Sequence, residues 1–109
     1  MIRVECYLAV LKSFKQKYPQ AHFEVMTRTA KSPLSPSQAL LDRYKQGKES
    51  IDVYFVELEQ ELRARPAAMH RLKELEDISK EKDVFLVCYE KDPSMCHRSL
   101  VKRMMEAIE

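Results

Sequence analysis

Val84-Phe85-Leu86-Val87-Cys88-Tyr89-Glu90-Lys91-Asp92-Pro93-Ser94-Met95-Cys96-His97-Arg98 is the stretch that decides the fold. Val84 to Val87 are uninterrupted apolar residues, the pattern of a strand covered on both faces, as parallel sheets require. A thiol, a phenol and a carboxylate follow at once. A short charged turn then delivers a second thiol beside an imidazole and a guanidinium. Reactive groups placed where a central strand hands over to a helix occupy the usual ligand position of an open α/β sheet.

Upstream, Ile2, Val4, Cys6 and Leu8 alternate with Arg3, Glu5 and Tyr7, which predicts a strand over residues 2–7. Leu8, Leu11, Phe14 and Tyr18 then take up helical spacing, and Pro19 stops it. His22 to Met26 reads as a second strand, which sends Thr27, Arg28 and Thr29 into a loop. Ser35-Pro36-Ser37-Gln38 signals a helix start, with Ser35 as the cap, Pro36 in the first turn and Gln38 completing a capping box. That helix carries Leu40, Leu41 and Tyr44 and ends at Gly47. Ser50 caps the next, along which lie Val53, Tyr54, Val56 and Leu58. Pro66 opens another, whose stripe is Met69, Leu72, Leu75 and Ile78. The last helix, expected to begin between Asp92 and Ser94, holds Leu100, Val101, Met104, Met105 and Ile108. Methionines at such spacings fill cores.

Strand, helix, strand, three helices, strand, helix is an α/β order. It predicts a small three-stranded, mostly parallel sheet flanked by helices, in a single compact domain over residues 1–109. The segment Val84 to Tyr89 is expected to be its central strand.

Composition narrows the function. A chain of 109 residues buries about two thirds of its unfolded surface and leaves no room for a second domain. With 19 basic and 17 acidic residues there is no net field to draw a polyanion. A nucleic-acid partner is conceivable but unsupported. Charges interrupt the first residues, so no signal peptide is read there. No apolar run approaches the ~20 residues of a membrane span. Three cysteines without an export signal suggest a cytoplasmic protein with free thiols. The single glycine, Gly47, excludes glycine-rich phosphate loops of the dinucleotide and Walker types.

The chain resembles the family catalogued as domain of unknown function 488. Cys88-Tyr89-Glu90-Lys91-Asp92-Pro93 followed by Cys96-His97-Arg98 carries the resemblance. Thr27-Arg28, Leu34-Ser35-Pro36-Ser37, Tyr44-Lys45 and the opening Tyr7-Leu8 with Leu11 extend it over nearly the whole chain. It implies a fold and a site and names no reaction. Some relatives carry the label DNA glycosylase, but the basic groove and base-flipping pocket that activity needs are not readable here.

The residues themselves offer chemistry. Cys96, His97 and Arg98 are expected near the N-terminus of the last helix, where free amides and the helix dipole favour an anion and a thiolate. Cys96 is thus a candidate nucleophile, or else a packed apolar residue. Glu90, at the carboxyl edge of the sheet, is a candidate general base or ribose ligand, or else a salt-bridge partner of Arg98 or Arg28. Arg28 and Arg98 are candidates to grip a phosphate or carboxylate. Thr27, Tyr89 and Cys88 complete the expected ligand-binding set, with Cys96, Glu90 and His97 as the expected catalytic one. Tyr54 is a possible wall of the same pocket. A tyrosine-phosphatase loop is disfavoured: its cysteine and arginine bracket five residues, whereas Cys88 lies too far from Arg98 and Cys96 too near. Metal binding is a second option, since Cys88, Cys96 and His97 supply soft ligands and Glu90 could be a fourth. The spacing matches no common zinc motif, however, and adjacent residues seldom share one ion, so neither metal nor cofactor is expected. Two functions remain open: an anion-binding pocket for a small phosphorylated or nucleotide-like ligand, with or without catalysis, and a non-catalytic module in which the same cluster is a structural network.

Overall fold

The computed structural model describes residues 1–92 and 96–107. Strands β1 (Ile2–Arg3), β2 (His22–Val25) and β3 (Val84–Val87) form one sheet in the order β1-β3-β2, with both pairings parallel. The last strand in sequence is therefore the middle one. That position explains its composition, since Val84, Phe85, Leu86 and Val87 are all completely buried.

The sheet separates two apolar layers. Phe85 and Val87 point to one face, where α1 (Leu11–Lys17) supplies Leu11 and Phe14. There the Phe85 ring stacks on Phe23 at 5.1 Å and meets Phe14 edge-on at 5.5 Å. Arg3 lies over the Phe85 ring at 4.8 Å, a cation held against the edge of the aromatic cluster. Val84, Leu86 and Cys88 point to the opposite face. That face is covered by α2 (Gln38–Lys45), α3 (Ile51–Arg63), α4 (Pro66–Ser79) and α5 (Arg98–Glu106).

Three sequence expectations change in detail. The first strand is shorter than residues 2–7. Arg3 pairs with Phe85, yet Tyr7 pairs with Cys88, so the β1 side has one residue too many between them. This is a bulge over Val4–Cys6, which takes main-chain groups of that segment out of the ladder. The cap of α2 is Ser37, whose hydroxyl accepts from Leu40 N at 3.3 Å. Ser35 instead donates toward the Met26 and Thr27 carbonyls at 3.0 and 2.8 Å, tying the loop to the end of β2. Helix α5 starts at Arg98. The start expected at Pro93 or Ser94, and Ile108 of its stripe, lie outside the described residues.

Other signals match their elements. Gly47 has φ +73° and ends α2 in a Schellman motif: Lys48 N reaches Arg43 O at 3.1 Å and Gly47 N reaches Tyr44 O at 3.0 Å. Ser50 caps α3 by accepting from Val53 N, and Pro66 opens α4. On α3, Tyr54, Leu58 and Leu62 face inward while Val53 and Val56 face solvent. No helix among the described residues is long and apolar enough to cross a membrane.

Candidate functional site

The two ladders end at the same edge. Met26 N donates to Val87 O and Leu8 N to Cys88 O, both at 2.9 Å, and beyond these points the chain leaves the sheet. Parallel strands put their carboxyl ends together, and a crevice opens there. It has a volume of about 350 Å³. Met26, Thr27, Arg28 and Thr29 enter it from the end of β2, and Cys88, Tyr89 and Glu90 from the end of β3. Pro36, Leu41, Tyr44 and Lys45 come from α2 and the turn before it, Tyr54 from α3, and Cys96 and His97 from the turn into α5.

The apolar part is built on a stacked pair, with the Tyr44 and Tyr54 rings 4.4 Å apart and 10° from parallel. Burial pushes the Tyr54 phenol well above its usual range, so it stays protonated. A chain of hydroxyls also lines the crevice. Thr27 Oγ1 lies 3.2 Å from Thr29 Oγ1, which lies 3.2 Å from Tyr89 Oη. Thr27 is buried, whereas Arg28, Thr29, Tyr89 and Glu90 are exposed at the mouth. The mouth thus offers a guanidinium from Arg28, an ammonium from Lys45 and a carboxylate from Glu90. No ion pair joins Glu90 to Arg28 or to Arg98, and its main-chain carbonyl is the atom that Arg98 uses.

Of the eight residues expected from sequence, seven line this crevice: Thr27, Arg28, Cys88, Tyr89, Glu90, Cys96 and His97. Arg98 does not. Its side chain is wholly buried behind the site, where its guanidinium donates to the main-chain carbonyls of Cys6, Glu90 and Lys91. The cleft expected to hold Arg28, Glu90 and Arg98 together therefore holds the first two. The bulge explains the difference, because it offers the Cys6 carbonyl to Arg98 instead of to the neighbouring strand.

The expectation of free thiols is corrected at two of the three cysteines. Cys88 and Cys96 are joined in a disulfide, and Cys6 alone is free and fully buried. The end of β3 and the turn into α5 lie side by side, which spacing in sequence does not reveal. In this form Cys96 has no thiolate to act as a nucleophile. His97 sits against both sulfurs, its Nδ1 3.6 Å from Cys88 Sγ and 3.8 Å from Cys96 Sγ. Burial, helped by the nearby Arg98 charge, lowers the His97 pKa to about 4. The Met26 carbonyl opposes that shift, and among the described residues Nε2 has no hydrogen-bond partner.

Lys45, Thr29 and Tyr44 reach the crevice without having been singled out as site residues. Tyr44 and Lys45 carry a local signal, since the end of a capped helix that follows a strand-end loop packs near that loop. Nothing local marks Thr29.

Searches of curated proteins and of solved structures return no match. A family model described as "Active DUF488-N3 subclade" matches residues 11–109, which include every crevice residue. The chain belongs to the DUF488 family.

Proposed function

We propose that the crevice binds a small anionic ligand of the phosphorylated or nucleotide-like class. The observation that carries this reading is the placing of Arg28, Lys45 and Glu90 at the mouth of a cavity walled by apolar residues and stacked tyrosines. A few polar groups on a largely apolar cavity at the carboxyl edge of an α/β sheet is the common form of a small-molecule site. The two cations suit a phosphate or carboxylate, the hydroxyl chain of Thr27, Thr29 and Tyr89 can orient it, and Glu90 suits a ribose hydroxyl or an abstractable proton.

If the ligand is turned over, Glu90 is the group best fitted to be the general base. His97 is dry, and with a pKa near 4 it is too weak a base at neutral pH. Cys96 is held in the disulfide. The description of the matching subclade as active supports an enzymatic reading.

One observation favours the competing view of a structural network: Arg98 is entirely internal and, among the described residues, its hydrogen bonds go to main-chain carbonyls. That view accounts for Arg98 and gives no role to Arg28, Lys45 and Glu90 around an open cavity.

Amide chemical-shift titration with adenosine monophosphate, ribose 5-phosphate and inorganic phosphate tests the proposal. Saturable shifts at residues 27–29, 44–45 and 88–90 are expected. Arg28→Ala combined with Lys45→Ala should weaken binding at least about tenfold, as loss of charge-assisted hydrogen bonds implies. Lys12→Ala, on α1 across the sheet, should leave it unchanged. Shifts scattered over the surface, or equal losses in both variants, would sink the anion site.

A further inference from the structure

Cys88, Cys96 and His97 form a feature at the inner end of the crevice for which an anion site has no use. The two Sγ atoms and Nδ1 all lie within 4.8 Å of one another, and all three residues are buried. Two thiols and an imidazole are the donor set of borderline-soft divalent ions. A tetrahedral zinc ion, with Zn–S near 2.3 Å and Zn–N near 2.0–2.1 Å, has S···N edges of about 3.6 Å and an S···S edge of about 3.8 Å. Nδ1 lies 3.6 Å from Cys88 Sγ and 3.8 Å from Cys96 Sγ, so one S···N edge already has this length and the other is slightly longer. The third is closed by the sulfur–sulfur bond. The two Cα atoms are 7.1 Å apart, beyond the roughly 4.4–6.8 Å that disulfides ordinarily span. A backbone so spaced holds reduced sulfurs apart.

We propose that Cys88, Cys96 and His97, once the disulfide is reduced, bind a zinc-type divalent cation whose fourth position opens to the crevice. Reduction by a dithiol transfers two electrons and two protons to the disulfide, and the reductant becomes a disulfide in turn. Metal binding then releases both thiol protons to solvent as the two thiolates take up the ion. Three protein ligands with an open fourth position is the arrangement of catalytic rather than structural zinc. The fourth ligand would be a water or an oxygen of whatever occupies the cavity. The site does not depend on the anion reading.

The test is cobalt titration of the full chain, reduced with a phosphine and kept anaerobic. One equivalent should give a thiolate-to-cobalt charge-transfer band with the visible bands of tetrahedral coordination, and zinc should displace it. Two protons should be released per ion. The oxidised protein should show neither signal. Cys88→Ser and Cys96→Ser should each weaken binding by more than the roughly 10–100-fold that loss of a supporting second-shell group costs, while Cys6→Ser should not change it. Far-UV circular dichroism identifies any variant that has unfolded, and for such a variant the wild-type spectrum and proton count decide. A reduced wild type without the charge-transfer band overturns the proposal, as does a band that survives in folded Cys96→Ser or vanishes in Cys6→Ser. No phosphate or nucleotide is present, so failure here and failure of the anion site are separate results.

Discussion

A guanidinium cut off from solvent has to satisfy its donors internally, and Arg98 does so with three main-chain carbonyls from two distant segments. Among the described residues its Nε has no hydrogen-bond partner. Each carbonyl would lose its partner if the side chain were truncated, and buried acceptors without partners are costly. Arg98→Ala should therefore lower the unfolding free energy by on the order of 3 kcal/mol or more, read from urea denaturation. Arg98→Lys should recover little of it, because a single ammonium cannot span carbonyls arranged for a planar fork. Where the variant remains folded, its affinity for phosphate should match that of the wild type, since Arg98 lies outside the crevice. Cys6 offers a second reading at this scale. Burial raises the pKa of its thiol, and it has no solvent exposure. After reduction of the native protein an alkylating reagent should modify Cys88 and Cys96 and spare Cys6 until global unfolding; mass spectrometry of the labelled sites checks the order.

Helix α4 is fastened to β2 by charge as well as by its apolar stripe. Arg71 Nε and Nη2 reach the two Glu24 oxygens at 2.8 and 2.6 Å, and His22 Nε2 lies 3.0 Å from Oε1. Burial pushes the Glu24 carboxyl up, but the bonds from Arg71 and His22 more than reverse this, and its pKa ends below the ordinary 4.5. Between that depressed value and 4.5 the unfolded chain takes up a proton that the folded one does not. Stability from this group is complete above the unfolded pKa and is lost as the pH falls through the folded one. Glu24→Gln should flatten that acid limb in denaturation midpoints measured across a pH series. Arg71→Ala should cost about 3 kcal/mol by stranding a buried carboxylate, and Glu24→Leu in the same chain should restore much of the loss. Gly47 is the corresponding backbone case. Nothing lies within 4 Å of a Cβ built there, so only its positive φ resists substitution. Gly47→Ala should cost about 1 kcal/mol, visible as a few degrees in Tm, and Gly47→Asn less. These elements differ in how far sequence alone reveals them. The apolar run of β3, the Gly47 stop and the Ser50 and Pro66 starts are local patterns with local physical causes, so they are legible. The Ser35 error has a local cause too: two serines flank one proline, and only the tertiary need of the Met26 and Thr27 carbonyls assigns Ser35 elsewhere. The crevice was legible through the strand ends, because parallel topology gathers them. The burial of Arg98 and the Cys88–Cys96 bond depend on a one-residue bulge and a turn, which leave no periodic trace.

At the scale of the whole molecule, the sheet divides a face closed by α1 from a face closed by four helices, and the crevice lies where the second layer meets the strand ends. The disulfide links the two segments that bound this crevice on the β3 side, so reducing it should loosen the mouth more than the core. Hydrogen exchange of the reduced protein should accelerate at Tyr89, Glu90 and the first turn of α5, with Val84 to Val87 unchanged. Equal acceleration of β3 would show that the bond supports the whole sheet. The order β1-β3-β2 also governs how the protein can be made. Strands β1 and β2 are not neighbours in the sheet; among the described residues each pairs with β3. On a ribosome, both must wait as unmatched ribbons until Val84 to Val87 has left the exit tunnel. Helices can form early, but the sheet has no partial version. Synthesis from the N-terminus therefore provides no folding head start, and the exposed backbone of two solitary strands is the hazard that a translating cell must cover until Val84 to Val87 arrives.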